Sequence, residues 1–161
     1  MEDAVPIIYA RGNVAEALTP RGRLAALGVA LACLTPLVIA ALLHPSPNGF
    51  GSHTAIGLAP CQFMKHTGIP CPSCGMTTSW TWFVRGNLAA SLYVQPMGTV
   101  LALMTAACFW AALYCAATGR PVYRLMRLVP SRYYFVPLLM LAIAAWGWKI
   151  YIHLNGMDGW H

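Results

Sequence analysis

Hydrophobic residues along this chain gather into three long runs, at residues 24–43, 97–117 and 134–152, and the segments outside them carry most of the Gly, Pro, His and charge. Each run is close to the roughly 20 residues that a helix needs to cross a bilayer. Pro36 falls inside the first run and predicts a kink, which membrane helices tolerate. His44-Pro45-Ser46-Pro47-Asn48-Gly49 stops that run. Tyr133, Tyr134 and Phe135 mark one end of the third run and Trp146, Trp148 and Tyr151 the other, as interfacial aromatic belts do.

Residues 44–75 read as a loop rich in Gly, Pro, His and Cys. After it the pattern changes to helical spacing. Met76, Trp80, Phe83 and Val84 share one face, and Thr77, Thr78, Thr81 and Arg85 the other. This predicts a short helix from Met76 to Val84, with Gly86 at its C-terminal end. Asn87 then caps a second short helix from Leu88 to Val94. Such an amphipathic pair is expected to lie on the membrane or dip into it as a re-entrant hairpin.

The expected fold class is therefore all-α integral membrane, one domain over residues 1–161. A cytoplasmic tail (1–22) leads into the first span (24–43), and an external loop with the short helices follows (44–96). The second span (97–117), a basic cytoplasmic loop (118–133), the third span (134–152) and an external tail (153–161) complete it. The first run is too long for a cleaved signal segment and is expected to stay as an anchor.

Composition supports the membrane class. Of 161 residues 58% are hydrophobic and 9% charged, far from the roughly 25% charge of soluble domains. The net charge of +6 would raise nucleic acid as a partner in a soluble protein. Here the arginines flank apolar runs, so they read as topology signals, with no nucleic-acid binding expected. Arg11, Arg21 and Arg23 precede the first run, and Arg120, Arg124, Arg127 and Arg132 crowd the second connection. The positive-inside rule places these segments in the cytoplasm and the Cys loop and C-terminus outside. Arg120, Arg124 and Arg127 share a helical face that could meet anionic headgroups, or serve topology alone.

The chemistry concentrates in the loop. Cys71-Pro72-Ser73-Cys74-Gly75 holds two thiols within one turn of chain, with Cys61 ten residues upstream. Pro72 restricts Cys71 to extended backbone. Cys74 opens a helix whose N-terminal amides favour a thiolate. His66 completes a Cys-x4-His-x4-Cys-x2-Cys array of candidate metal ligands: Cys61, His66, Cys71 and Cys74. Zinc suits that set, and Met64 and Met76 would suit copper as Cu(I). On an oxidising face a disulfide from Cys61 to Cys71 or Cys74 ranks ahead of the metal reading. A working thiol pair, Cys71 with Cys74, is the third reading.

Other candidates carry blander readings. Cys33, Cys108 and Cys115 lie in apolar runs and behave as small hydrophobes. His44 and His153 end two spans and could in principle ligate haem, but interfacial placement explains them more simply. No Cys-x-x-Cys-His is present for covalent haem attachment. Lys149 is the one charge inside a spanning run, and snorkelling to the interface is the simplest account of it. Gly22, Ala26 and Ala30, with Ala107 and Ala111 or Ala112 and Ala116, would allow close helix packing. The only acids are Glu2, Asp3, Glu16 and Asp158, too few for carboxylate catalysis in the membrane.

Cys61, the string Thr67-Gly68-Ile69-Pro70-Cys71-Pro72-Ser73-Cys74-Gly75-Met76-Thr77, Gly86-Asn87-Leu88 and Gln95-Pro96 together resemble the DUF2752 family of small bacterial membrane proteins. Thr78 stands where that family commonly has Arg, and Gln95 where it commonly has Asn. The resemblance implies a bacterial plasma (inner) membrane protein with the three cysteines as its site, and brings no established activity. The expected function is a non-enzymatic accessory or assembly subunit, in contact with lipid and other membrane proteins, whose loop the cysteines clamp. The alternative is a membrane thiol–disulfide oxidoreductase or a metal-handling protein using Cys71 and Cys74.

Overall fold

The computed structural model describes residues 18–120 and 132–160, so the expectations for Arg11, Arg124, Arg127, His161 and the N-terminal acids fall outside the described residues. Every regular element described is helical. In order they are α1 (Pro20–Leu42), a 3-10 turn (Ser52–Ile56), α2 (Gln62–Thr67), α3 (Met76–Val84), α4 (Leu88–Val94), α5 (Pro96–Thr118) and α6 (Arg132–Leu154). Three of them, α1, α5 and α6, are long and apolar enough to cross a membrane.

Local signals set the ends. Thr19 caps α1 by accepting from the Gly22 amide at 3.2 Å, and Pro20 occupies its first turn. The helix thus starts before the apolar run does, taking in the polar turn that carries Arg21 and Arg23. Asn87 caps α4, accepting from the Ala90 amide at 3.0 Å. The segment between α1 and α3 holds the 3-10 turn and α2, which sequence pattern did not show; both are bounded by glycines in the left-handed region, Gly51, Gly57 and Gly68.

The principal packing is α1 against α5, and it is antiparallel. The buried positions of the two helices are small residues: Ala30 and Ala40 on α1, and Gly98, Thr99, Ala102 and Cys115 on α5, with Gly98 facing Ser79 of α3. Of the small-residue pattern expected from the sequence, Ala30 is among the buried positions. Two arginines tie the helix ends. Arg23 of α1 donates to the carbonyls of Ala116 and Ala117, both at 2.8 Å, at the end of α5. Arg85, just past α3, donates to the Leu43 carbonyl at 2.6 Å, at the end of α1. Orphan carbonyls at a helix C-terminus attract cations, so both arginines cap helices as well as lending charge.

The α3–α4 hairpin packs against α1 and α5 with its polar face inward. Thr78, Ser79 and Thr81 are the buried positions of α3, while Met76, Trp80, Phe83 and Val84 are only half-buried. The Ser79, Ser91 and Thr99 hydroxyls form a triangle with edges of 2.9, 3.1 and 2.8 Å. Ser52 and Thr78 pair at 2.8 Å. In a medium without water, hydroxyls bury and pair with one another, and apolar side chains can face outward.

Helix α6 is fastened at the end nearest the loop. Trp148 Nε1 donates to the Tyr93 carbonyl at 2.7 Å, and the Tyr93 hydroxyl donates to the Met157 carbonyl at 2.9 Å. Lys149 corrects the snorkelling expectation. Its side chain is fully buried, with Nζ 3.0 Å from Asp158 Oδ1, 3.3 Å from the Gly49 carbonyl and 5.7 Å from the Phe50 ring centroid. Asp158, the one acid among the described residues, also meets His153 Nδ1 through Oδ2. A buried charge needs a partner, and the chain returns in its tail to supply one.

Candidate functional site

The loop that carries the cysteines is built from both ends. Cys61 is the N-cap residue of α2. Ten residues later Cys71 opens a tight turn, closed by the Cys74 amide donating to the Cys71 carbonyl at 3.0 Å. Gly75 then starts α3 at φ 87°. A Cβ at Gly75 would lie 2.8 Å from the Gly49 carbonyl, so glycine is required there for both conformation and space.

Two anchors, the buried Gln95 and the half-buried Trp146, hold the turn from below. Trp146 Nε1 of α6 donates to the Pro70 carbonyl at 3.0 Å, and Gln95 Nε2 donates to the Pro72 carbonyl at 2.7 Å. The carbonyls on either side of Cys71 are thereby fixed. Neither anchor was singled out for this role from sequence. Gln95 appeared only as part of a family resemblance, and its partner lies 23 residues away.

The result is convergence. The sulfurs of Cys61, Cys71 and Cys74 lie within 4.8 Å of one another, and those of Cys71 and Cys74 are 3.3 Å apart. Thiolates at about 2.3 Å from a common metal ion sit roughly 4 Å from one another, so this spacing can close on an ion with small adjustments. No disulfide joins the six cysteines in this structure. Cys74 is buried, whereas Cys61 and Cys71 are half-buried.

The two thiols of the turn differ in acidity. Burial pushes the Cys71 thiol up, but hydrogen bonds from the Ser73 hydroxyl, Cys74 and Cys61 outweigh it and bring the pKa down to about 7. Burial pushes Cys74 up to about 12, helped by its role as donor to Cys71 and Cys61. The thiolate therefore favours Cys71, where the helix N-terminus alone had pointed to Cys74. Donors on the sulfur decide the matter over the helix amides.

His66 is exposed on α2 and is not part of the group that the three sulfurs form. His53 is half-buried and lines a cleft of about 580 Å³ beside the cluster, together with Phe50, Cys61, Met64, Lys65 and Cys74. Pattern gave no signal for His53, because the turn that presents it is held by glycines and not by periodicity. Of the haem candidates, His44 is exposed, while His153 is engaged by Asp158 and packs edge-on against Phe50.

The family model described as "Protein of unknown function (DUF2752)" matches residues 61–117. The match begins at Cys61, takes in the whole thiol turn, the α3–α4 hairpin and Gln95, and ends inside α5. Comparison with curated proteins gives no match. Comparison with solved structures gives none either.

Proposed function

We propose that this chain is a non-enzymatic accessory subunit of a membrane complex, and that Cys61, Cys71 and Cys74 together bind one thiophilic metal ion, zinc or copper, that clamps its loop. The observation that carries this reading is the convergence of the three sulfurs within 4.8 Å from segments ten residues apart. Such a bond set would tie α2 to the start of α3. Binding free energy of that kind stabilises the segments it joins. In this reading the chain sits in a bacterial inner membrane, with its basic segments in the cytoplasm and the thiol loop and tail outside, as the positive-inside rule favours.

One observation favours a second reading, a membrane thiol–disulfide oxidoreductase. Cys71 and Cys74 are 3.3 Å apart, and the more accessible thiol is the more acidic. A nucleophilic thiol beside a buried partner has that form.

The test is thiol labelling of the purified full-length protein under non-reducing conditions, read by intact mass and paired with elemental analysis. Three protected thiols with about one equivalent of metal support the clamp. No metal and a chain lighter by two hydrogens moves the account to a disulfide. Three freely labelled thiols without metal would sink it.

A further inference from the structure

The thiol cluster is closed on one side and open on the other. Beneath it, Gln95 and Trp146 fix the turn. Beside it, Cys61 and Cys74 form part of the wall of the 580 Å³ cleft, which the half-buried Met64 also lines. Among the described residues, the group of potential ligands brought together contains these three sulfurs and no His, Asp or Glu. A structural zinc site takes four protein ligands and is closed. The converged group is three soft sulfurs, and the adjoining wall adds the Met64 thioether and the His53 imidazole, neither of them part of that group; a set of thiolates alone favours a soft ion.

We infer that the site takes Cu(I), held by Cys61, Cys71 and Cys74 alone, and that the ion enters and leaves through the cleft past Met64. This rests on the metal-binding reading and narrows it. Loading is ligand exchange without electron transfer. A soft-ligand carrier, a thiol or thioether peptide, presents Cu(I) at the cleft. Each carrier–copper bond breaks as a copper–sulfur bond to a cysteine forms, and the displaced thiol protons pass to water. Met64 serves as a transient ligand on the way in and leaves the final coordination to the cysteines.

The experiment uses the full chain, reduced, in detergent micelles. It is titrated anaerobically with Cu(I) against a chromophoric Cu(I) chelator, and separately with Zn(II) against a zinc indicator. The expected result is about one equivalent of Cu(I), with copper-edge X-ray absorption showing a shell of sulfur only. Cys61→Ser, at a half-buried position on the loop, should weaken Cu(I) binding by more than the about 10- to 100-fold typical of outer-shell changes. Met64→Leu should keep the stoichiometry and slow transfer to the chelator several-fold. Tight zinc with no competing Cu(I), or a nitrogen ligand in the shell, overturns the Cu(I) assignment and leaves the clamp. Transfer unaffected by Met64→Leu overturns the route through the cleft. Binding of neither metal overturns both this inference and the metal-binding reading beneath it.

Discussion

Two polar clusters meet at the loop end of the bundle, and they are built on opposite terms. Around Lys149 every charge is answered: the ammonium meets the Asp158 carboxylate, the Gly49 carbonyl and the Phe50 ring, and His153 takes the second carboxylate oxygen. Lys149 is fully buried there, while Asp158 and His153 are half-buried. Around Cys61, Cys71 and Cys74 the converging ligands are three sulfurs, with the Ser73 hydroxyl 3.2 Å from the Cys71 sulfur, and a cleft runs alongside. The clusters are neighbours: a Cβ on Gly75, the residue after Cys74, would lie 3.4 Å from Lys149 Cε. A set that is complete within itself holds the fold together. A set of like ligands beside an opening is arranged for something that arrives.

The contrast breaks most readily on the Lys149 side. Lys149→Met leaves Asp158 without its main partner, and removing one member of a buried pair costs about 3–5 kcal/mol. The thermal midpoint in detergent should fall steeply. The double variant Lys149→Met/Asp158→Leu should recover part of the loss, since replacing both members with apolar groups is far milder than removing one. A double variant as unstable as the single one would mean that the pair is not what Lys149 contributes.

Gly49→Ala and Gly75→Ala come next. Both glycines have positive φ, which costs a substituted residue about 1–3 kcal/mol. Both would also meet backbone, with the new Cβ against the Asp158 carbonyl at Gly49 and 2.8 Å from the Gly49 carbonyl at Gly75. Their joint contact is the seam between the clusters, so either change should loosen the thiol turn as well as lower stability. Faster thiol labelling in both variants is the readout.

Ser79→Ala removes one corner of the hydroxyl triangle and should cost about 1–2 kcal/mol, within the range for buried hydrogen bonds between membrane helices. It sharpens the contrast from a distance, because it should lower stability and leave thiol labelling unchanged. The smallest stability effect belongs to the thiols. Cys61→Ser should shift the unfolding of metal-free protein by no more than about 0.5 kcal/mol, while abolishing the stabilisation that added metal gives.

Much of this architecture was legible along the chain. The apolar runs foretold α1, α5 and α6, and Asn87 and the change of period foretold the two short helices. The thiol group could be read because its members lie close in sequence. The Lys149 cluster could not, because its contacts join Gly49, Lys149 and Asp158, the first two being 100 residues apart. Helix α3 taught a different lesson. Its two faces were apparent, but in a membrane setting the hydroxyl face packs inward. The same reasoning recasts Arg23 and Arg85, whose positions read as charge alone until the helix ends they cap were in place.

The central claim is that the three thiols share one ion, and native mass spectrometry of the full chain, extracted in detergent without chelator, tests it most directly. The account predicts a species heavier than the chain by one copper or zinc, converted to the bare chain mass in Cys61→Ser. A wild-type spectrum of bare chain alone, after reduced protein has been offered both metals, would contradict it.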